Sequence, residues 1–452
     1  MTRIPAPVDL PVGLTIAGSD SGGGAGIQAD LQTMAAHGVF GTSVVTAVTA
    51  QNTRGVTSSH VLPVAEIEAQ LDAVLDDFDV RAAKTGMLAT APVIEAVADR
   101  LADEATPLVV DPVMVAATGD RLLEPDAEAA YEGLIGEATL VTPNADEAAV
   151  LTDVEVTDVD RAVEAGEVLL ETGVDAALVK GGHVPGDVVT DVLVSADAVE
   201  TFSHPRVETE ATHGSGCTLA SAITARLARG EGLETAVERG LSFVERAVRY
   251  PVDVGHGPGA VHHLAAIRNQ AAREATADAV RSVVERFVER DVSRLVPEVG
   301  INVVGATPYA ESIDETAAVE GRITRTLSGA LPSRGIRFGA SSHVARFLLA
   351  AREVDPALRF AVNCRFDDEI EAALAKLDGP IAEFDRAAEP ADVKAEEGST
   401  MGWGARRAFE RAGETPVAII DRGEVGKEAI VKVLAPDAET VVERTIAVLD
   451  AV

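Results

Sequence analysis

Over its first 265 residues the chain repeats one pattern, a short apolar run closed by glycine, proline or a polar turn, then a stretch of helical periodicity. The runs are VGLTIAG (12–18), SVVTAVTA (43–50), AAKTGM (82–87), PLVVDPV (107–113), ATLVTP (138–143) and AALVKGG (176–182). Continuous apolar runs this short belong to strands buried on both faces. VAEIEAQLDAVLDDF (64–78) and DRAVEAGEVLLETG (160–173) carry the helical pattern, the second closed by Gly173 as a C-cap. Such alternation predicts an α/β fold: a mostly parallel central sheet, helices on both faces, and ligands at the carboxyl ends of the strands. The pattern breaks at PVDVGHGPGAVHH (251–263). Beyond it a long helix is predicted over about 266–294, and a second α/β alternation starts at EVGINVVG (298–305). A chain of 452 residues has room for two or three domains. The break places two, 1–265 and a smaller α/β domain, 266–452.

Charge narrows the choice of partners. The 38 basic and 73 acidic side chains leave a net −35, which repels nucleic acid and anionic membranes. Hydrophobic residues make up 47% of the chain, so the acid excess does not signal disorder. No apolar run reaches the length of a membrane span, and MTRIPAPVDLPVG lacks the apolar core of a signal peptide. Two cysteines, Cys217 and Cys364, cannot build a disulfide framework. A cytoplasmic homo-oligomer without nucleic-acid or membrane partners is expected. Only six basic residues are lysines: Lys84, Lys180, Lys376, Lys394, Lys427 and Lys432. An acidic, lysine-poor surface suits concentrated salt, so a halophilic protein is expected; full activity after dialysis to low salt would refute that. The acidity is uneven. Residues 1–265 carry 41 acids and 14 bases, 266–452 carry 32 and 24, and 301–350 hold five arginines against four acids.

Several segments carry chemistry. In ATHGSGCTLASAITARLARG (211–230), turn residues run straight into an Ala-rich helix. The N–H groups of Gly214, Ser215, Gly216 and Cys217 thus fall at a helix N-terminus, where donors and dipole favour an anion. Cys217 in that first turn is expected to have a depressed thiol pKa and to serve as a base; a small buried cysteine in an ordinary turn is the plainer alternative. AGSDSGGGAGIQADLQTMAAHG (17–38) delivers glycines from a strand into a helix, but without the GK[ST] of a P-loop. Asp30 and Gln51 are suited to hydrogen-bond a heterocycle or, equally, to cap a turn. In VTPNADEA (141–148), Asn144 and Glu147 stand three apart, fit either to face a cation or to close a helix capping box. Asp111 leaves an apolar strand, and Lys180 ends another just before Gly181-Gly182-His183, where an ammonium can neutralise phosphate.

In the second part, EGRITRTLSGALPSRGIRFGASSHVARFLLAA (320–351) gathers Arg322, Arg325, Arg334, Arg337 and Arg346. The cluster suits a polyanionic small molecule such as a diphosphate, or salt bridges to the abundant acids. Gly339-Ala340-Ser341-Ser342 before a helix reads as an anion cradle, with His343 as acid, base or phosphate donor. Lys427 sits in a Gly-bearing turn, DRGEVGKEAIV.

AGSDSGGGAGIQADLQT, TAVTAQNTRGV, KTGML, DPVMVAATGD, TPNADEA, VKGGH, ATHGSGCTLASA and GPGAVHH follow in order over 12–263. In this the segment resembles hydroxymethylpyrimidine kinase/phosphomethylpyrimidine kinase, of the ribokinase-like, three-layer fold. The resemblance implies ATP- and Mg2+-dependent phosphorylation of 4-amino-5-hydroxymethyl-2-methylpyrimidine to its mono- and then its diphosphate. It assigns Gln51 and Asp30 to the aminopyrimidine, Gly18 and Met87 to the pocket wall, and residues 214–217 to an anion hole with Cys217 as base. Asn144 and Glu147 would organise magnesium, and Lys180 would meet ATP phosphates. Where that family has lysine, this chain has Ala117. PEVGINVVGATPYA, EGRI, GIRFGASSHVARFLLAA, RFAVNCRF, EEGSTMGWG and RGEVGKEAIVKVLAPD resemble the archaeal-type thiamine-phosphate synthase domain. That resemblance implies coupling of the pyrimidine diphosphate with thiazole phosphate, giving thiamine phosphate and pyrophosphate. Arg322 and His343 would carry the reaction, supported by Ser341, Ser342 and Lys427. A thiamine-phosphate-sensing second domain and a pyridoxal-type kinase are the alternatives; a metal-binding structural protein is disfavoured by the scattered cysteines and histidines.

Overall fold

The computed structural model describes residues 7–102, 104–114, 122–123, 127–395, 399–424 and 426–452; Ala117 lies outside them. The chain divides into two compact units, Met1–Ala266 and Ile267–Val452. Among the described residues no helix is long and apolar enough to cross a membrane.

Among its described residues the first unit carries ten strands: β1 (Val12–Ala17), β2 (Phe40–Val45), β3 (Ala47–Asn52), β4 (Gly55–Val61), β5 (Val80–Thr85), β6 (Leu108–Val110), β7 (Leu140–Val141), β8 (Ala176–Val179), β9 (Val188–Ser195) and β10 (Val199–Pro205). Eight form one sheet in the order β10-β9-β8-β7-β6-β5-β1-β2. Pairing is parallel from β2 across to β8, and antiparallel at β8–β9 and β9–β10. Alternation along the strands explains the layers. Val110, Val141 and Ala177 enter one core with Ile67, Leu71 and Ile94, while Val109, Leu140 and Leu178 enter another with Leu219, Ile223 and Leu241. Both faces of the sheet are therefore covered by helices.

The predicted run 43–50 is two strands. The chain leaves the large sheet at Thr46, whose N–H still bonds Ala17 O and whose hydroxyl bonds Met87 O. It then forms the separate β3–β4 antiparallel pair. The single helix predicted over 266–294 is also divided, into Ala265–Ala271 and Arg273–Glu289.

The second unit carries β11 (Val303–Ala306), β12 (Thr316–Val319), β13 (Ile323–Thr326), β14 (Gly329–Pro332), β15 (Ile336–Phe338), β16 (Phe360–Arg365), β17 (Ile381–Phe384), β18 (Ala418–Asp421) and β19 (Ile430–Ala435). Its seven-stranded sheet runs β15-β12-β11-β16-β19-β18-β17 and is antiparallel except at β17–β18; β13 and β14 form a separate hairpin. One face packs Val303, Val362 and Val433 on Arg273–Glu289 and Ala438–Asp450. The other packs Val304, Ala361 and Leu434 on His343–Val354 and Ser399–Ala412.

Candidate active sites

At the carboxyl ends of the first unit's strands lies a cavity of about 540 Å³. Its floor is the N-terminus of helix Ser215–Ala228, entered through Gly214 at φ +83°. A β-carbon there would overlap the Gly24 carbonyl oxygen, so the turn admits only glycine. The Ser215 N–H donates to Thr212 O at 3.0 Å, which leaves Gly216 and Cys217 to present first-turn N–H groups to the cavity. Beside them Lys180 Nζ stands 3.1 Å from Asp111 Oδ1 and 3.9 Å from Glu147 Oε2. Burial disfavours the Lys180 charge, but Asp111 and Glu147 more than compensate and raise its pKa. Glu147 is raised as well, chiefly by burial and also by the nearby Asp111 carboxylate, against the pull of Lys180. Gln51, Met87 and Gly18 line the same cavity.

A smaller cavity of about 240 Å³ shares Asn144, Lys180, His183, Ser215 and Gly216 with the first. Beyond those shared residues its wall is largely apolar, with Val189, Val207, Leu219, Leu241, Val244 and Val248. A charged cavity opening onto an apolar one suits a nucleotide, phosphates on the helix N-terminus and base against the aliphatic wall.

Three expectations for this unit change. Asp30 does not line the cavity. It falls on the buried face of helix Gly26–Ala36 with Ile27, Thr33 and Met34. Its carboxylate is fully buried and accepts from Thr15 Oγ1 at 2.6 Å, Ser221 Oγ at 2.6 Å and Lys84 Nζ at 3.1 and 3.2 Å. Cys217 is not acidified. Burial pushes its thiol up to about 11, against the opposing charge of Lys84 and a hydrogen bond from the Gly26 backbone. Asn144 spends its side-chain oxygen on Glu147 N at 2.9 Å, and Glu147 Oε2 accepts from Asn144 N at 2.8 Å, which is the capping box.

Sequence reasoning passed over Asp20 and His213. Asp20 accepts from the N–H groups of Gly22, Gly24 and Ala25 at 2.8–2.9 Å, organising the glycine loop, and pairs with His213 Nε2 at 3.1 Å. Burial raises its pKa, but the His213 and backbone hydrogen bonds outweigh that and hold it below the usual carboxylate range. Among the described residues no group of three or more His, Cys, Asp or Glu converges as a metal cage. Asp111 and Glu147 supply two hard oxygen donors on the cavity wall, a set that fits Mg2+ carried mainly by phosphate and water.

In the second unit the arginines do not all converge. Arg334 and Arg337 reach for Glu320 at 3.9 and 3.3 Å on the surface. Arg322 and Arg346 do act on His343. Burial, then these arginines, Lys432 and Arg386, lower the His343 pKa, so the imidazole is neutral at pH 7. Arg322 holds φ +98°, a conformation disfavoured for any residue with a β-carbon. Ser341 is buried, and Ser342 Oγ lies 3.1 Å from His343 Nδ1. Lys427 is elsewhere employed: its ammonium bonds Glu424 at 2.8 Å within its own exposed turn. The residues that sequence reasoning missed are Lys432, Arg386 and Asp421. Arg386 grips Asp421 through two bonds of 2.8 and 2.7 Å, and Lys432 Nζ is 3.5 Å from Asp421 Oδ2. A lone lysine in the apolar run IVKVLA, in so lysine-poor a chain, was the available signal.

A family model described as phosphomethylpyrimidine kinase matches residues 20–262, and one described as thiamine-phosphate synthase ThiN matches 279–447. The chain is 47% identical over 257 residues to the hydroxymethylpyrimidine/phosphomethylpyrimidine kinase of Rhizobium meliloti, covering 56% of this chain and 97% of that one. It is 45% identical over 255 residues to the thiamine biosynthesis bifunctional protein ThiED of Geobacter sulfurreducens, covering 56% of this chain and 52% of that protein. Among solved structures, an ADP complex of Bacillus subtilis pyridoxal kinase aligns with a TM-score of 0.53 at 32% identity, over 57% of this chain and 98% of that one. The chain belongs to the phosphomethylpyrimidine kinase family and carries a ThiN thiamine-phosphate synthase domain behind its kinase domain.

Proposed function

We infer that this chain is an enzyme of thiamine biosynthesis with two activities used in succession. The first unit phosphorylates hydroxymethylpyrimidine and then its monophosphate at the expense of ATP. The second couples the resulting diphosphate with thiazole phosphate, releasing pyrophosphate. One observation carries the kinase reading. A helix N-terminus, the Lys180–Asp111–Glu147 cluster, Gln51 and Met87 face one cavity, which opens onto an apolar wall sized for a nucleotide base.

Phosphoryl transfer asks mainly for positioning and for neutralising charge. Gln51 and the wall at Met87 and Gly18 hold the pyrimidine. The N–H groups of Gly214, Gly216 and Cys217 receive the transferring phosphoryl group, and Lys180 turns from its carboxylates to the ATP phosphates. Cys217 acts as base only as a thiolate: the thiol, held protonated by burial, first releases its own proton to solvent, and the thiolate then takes the proton of the hydroxymethyl group as its oxygen attacks. Asp111 and Glu147 would hold Mg2+ arriving with ATP, which would supply further charge neutralisation. In the second unit, the bond from the pyrimidine methylene carbon to the diphosphate oxygen breaks with its electron pair leaving on pyrophosphate. The thiazole nitrogen lone pair forms the new C–N bond. Arg322, Arg346 and the first turn of His343–Val354 stabilise the departing charge. The acidic surface belongs to a cytoplasmic protein of a salty medium.

The test gives the full chain hydroxymethylpyrimidine and Mg-ATP, then thiazole phosphate, with products followed by 31P NMR. Mono- and diphosphate should appear in turn, and pyrophosphate only after the last addition. A second reading draws on the likeness to pyridoxal kinase, so pyridoxal is offered in competition, and its preferred phosphorylation would replace the pyrimidine assignment. Normal kinase products without pyrophosphate release would make the second unit a sensor.

A further inference from the structure

Strand register in the second unit lays a polar row across one face of an otherwise apolar sheet. Val303 pairs with Val362, which sets Asn302 against Asn363, and Asn302 N donates to Asn363 Oδ1 at 2.7 Å. Asn363 pairs with Lys432, and Lys432 with Ile419, two residues before Asp421 on the same face. Asn302, Asn363, Lys432 and Asp421 are each no more than 4% exposed. Toward the other end of the same strands this face carries Val304, Ala361 and Leu434, all core.

The asparagines are satisfied: Asn302 bonds both backbone groups of Val319, and Asn363 Nδ2 donates to Gly300 O. Lys432 is not so well served. Asp421 is the carboxylate beside it, and Arg386 already occupies both Asp421 oxygens, with Gly423 N adding a third bond at 3.1 Å. Among the described residues that leaves the Lys432 ammonium one polar contact at 3.5 Å and the faces of Phe347 and Phe384, whose ring centres lie 4.7 and 5.7 Å away. Three N–H donors on a buried cation call for more than this. Phe347 stands one turn beyond His343 on the same helix, so the ammonium lies against the helix that Ser342 precedes and His343 begins. Arg322 and Arg346 act on that same first turn.

We propose that Lys432 is an anion-binding residue of the second unit, completing with the N-terminus of helix His343–Val354 a site for the diphosphate group of the substrate. Asp421, held by Arg386, parks the ammonium until the ligand arrives. The inference rests on the synthase reading for the identity of the ligand but not for the existence of the site. A diphosphate and a phosphate monoester share this chemistry, and two probes separate them. Inorganic pyrophosphate and ethyl phosphate are titrated calorimetrically into the full chain, with AMP-PCP saturating the first unit. Lys432→Met should weaken pyrophosphate binding at least tenfold and ethyl phosphate less than twofold. Lys432→Arg should stay within threefold of the parent for both, and pyrimidine phosphorylation should be unchanged. Should the methionine variant melt below the assay temperature, Lys432→Gln carries the same comparison. Unchanged pyrophosphate affinity in a folded variant overturns the proposal, and a loss confined to ethyl phosphate overturns the diphosphate assignment. A chain that binds pyrophosphate through Lys432 yet releases none from the two substrates keeps this site and loses the synthase reading.

Discussion

Each unit has a lysine buried in its core beside an aspartate, Lys84 with Asp30 and Lys432 with Asp421, and these two pairs are built to opposite ends. In the first, Lys84 and Asp30 are both fully buried, and the carboxylate is closed by Lys84, Thr15 and Ser221. Ser221 sits one turn beyond Cys217, so this network underlies the anion hole without opening to it. In the second, Arg386 takes the aspartate and leaves the lysine underused. A buried ion pair whose hydrogen bonds are complete is a support; one left incomplete is poised for a ligand. The sheets fit this division. The parallel sheet offers a ready cavity at its strand ends, whereas the antiparallel sheet makes its site by changing from apolar to polar residues along the strands.

The sharpest way to break that contrast is stability. Lys84→Met leaves Asp30 as an uncompensated buried charge and should cost about 3–5 kcal/mol. Lys84→Met with Asp30→Asn should recover a large part of it. Lys432→Met leaves Asp421 paired with Arg386 and should cost well under half as much as Lys84→Met. Urea unfolding followed by circular dichroism measures all three, and equal losses for the two lysines would end the distinction. Catalysis comes next. Cys217→Ala removes the base from above the Lys84 network and should lower both phosphorylations by about a hundredfold or more, while calorimetry still detects pyrimidine binding. Full activity would refute the base assignment.

These contrasts were unequally legible in the sequence. The turn at 214–217 was readable because its chemistry is local: a glycine directly before a helix, then serine, glycine and cysteine in its first turn. Asp30 was misplaced because its motif was read without its helical phase. Ile27, Asp30 and Met34 fall on one face, which marks the carboxylate as buried. The Cys217 pKa went wrong for a related reason. The helix N-terminus is a sequence-level feature, but the burial that outweighs it is tertiary. Asn302, Asn363, Asp421 and Lys432 stand far apart in the chain and meet only through strand register, so no spacing rule could assemble them.

The Cys217 pKa gives a smaller test. A thiol pushed up to about 11 stays protonated where an ordinary one, near 8.5, has ionised. Alkylation of Cys217 by iodoacetamide, read by peptide mass spectrometry, should rise about tenfold per pH unit up to about pH 10. A plateau below pH 9 would remove burial as the controlling influence. The sign for folding follows. Between about pH 8.5 and 11 the folded chain retains a proton that the unfolded chain has released, so this group's contribution to stability, complete below that window, is lost as pH rises through it.

The weakest effect is expected at Lys427, and it completes the contrast among the few lysines. Its ammonium is about half exposed and paired with Glu424 three residues away. Glu424 also lies 3.7 Å from Lys394, so losing Lys427 strands no buried charge. Exposed pairs of this kind contribute roughly 0–1 kcal/mol. Lys427→Ala should therefore shift stability by less than about 0.5 kcal/mol and leave pyrophosphate affinity within twofold, measured beside Lys432→Met. A tenfold loss of affinity would mean that the Glu424 turn closes over the anion site, and that the surface pair had been taken for a structural one.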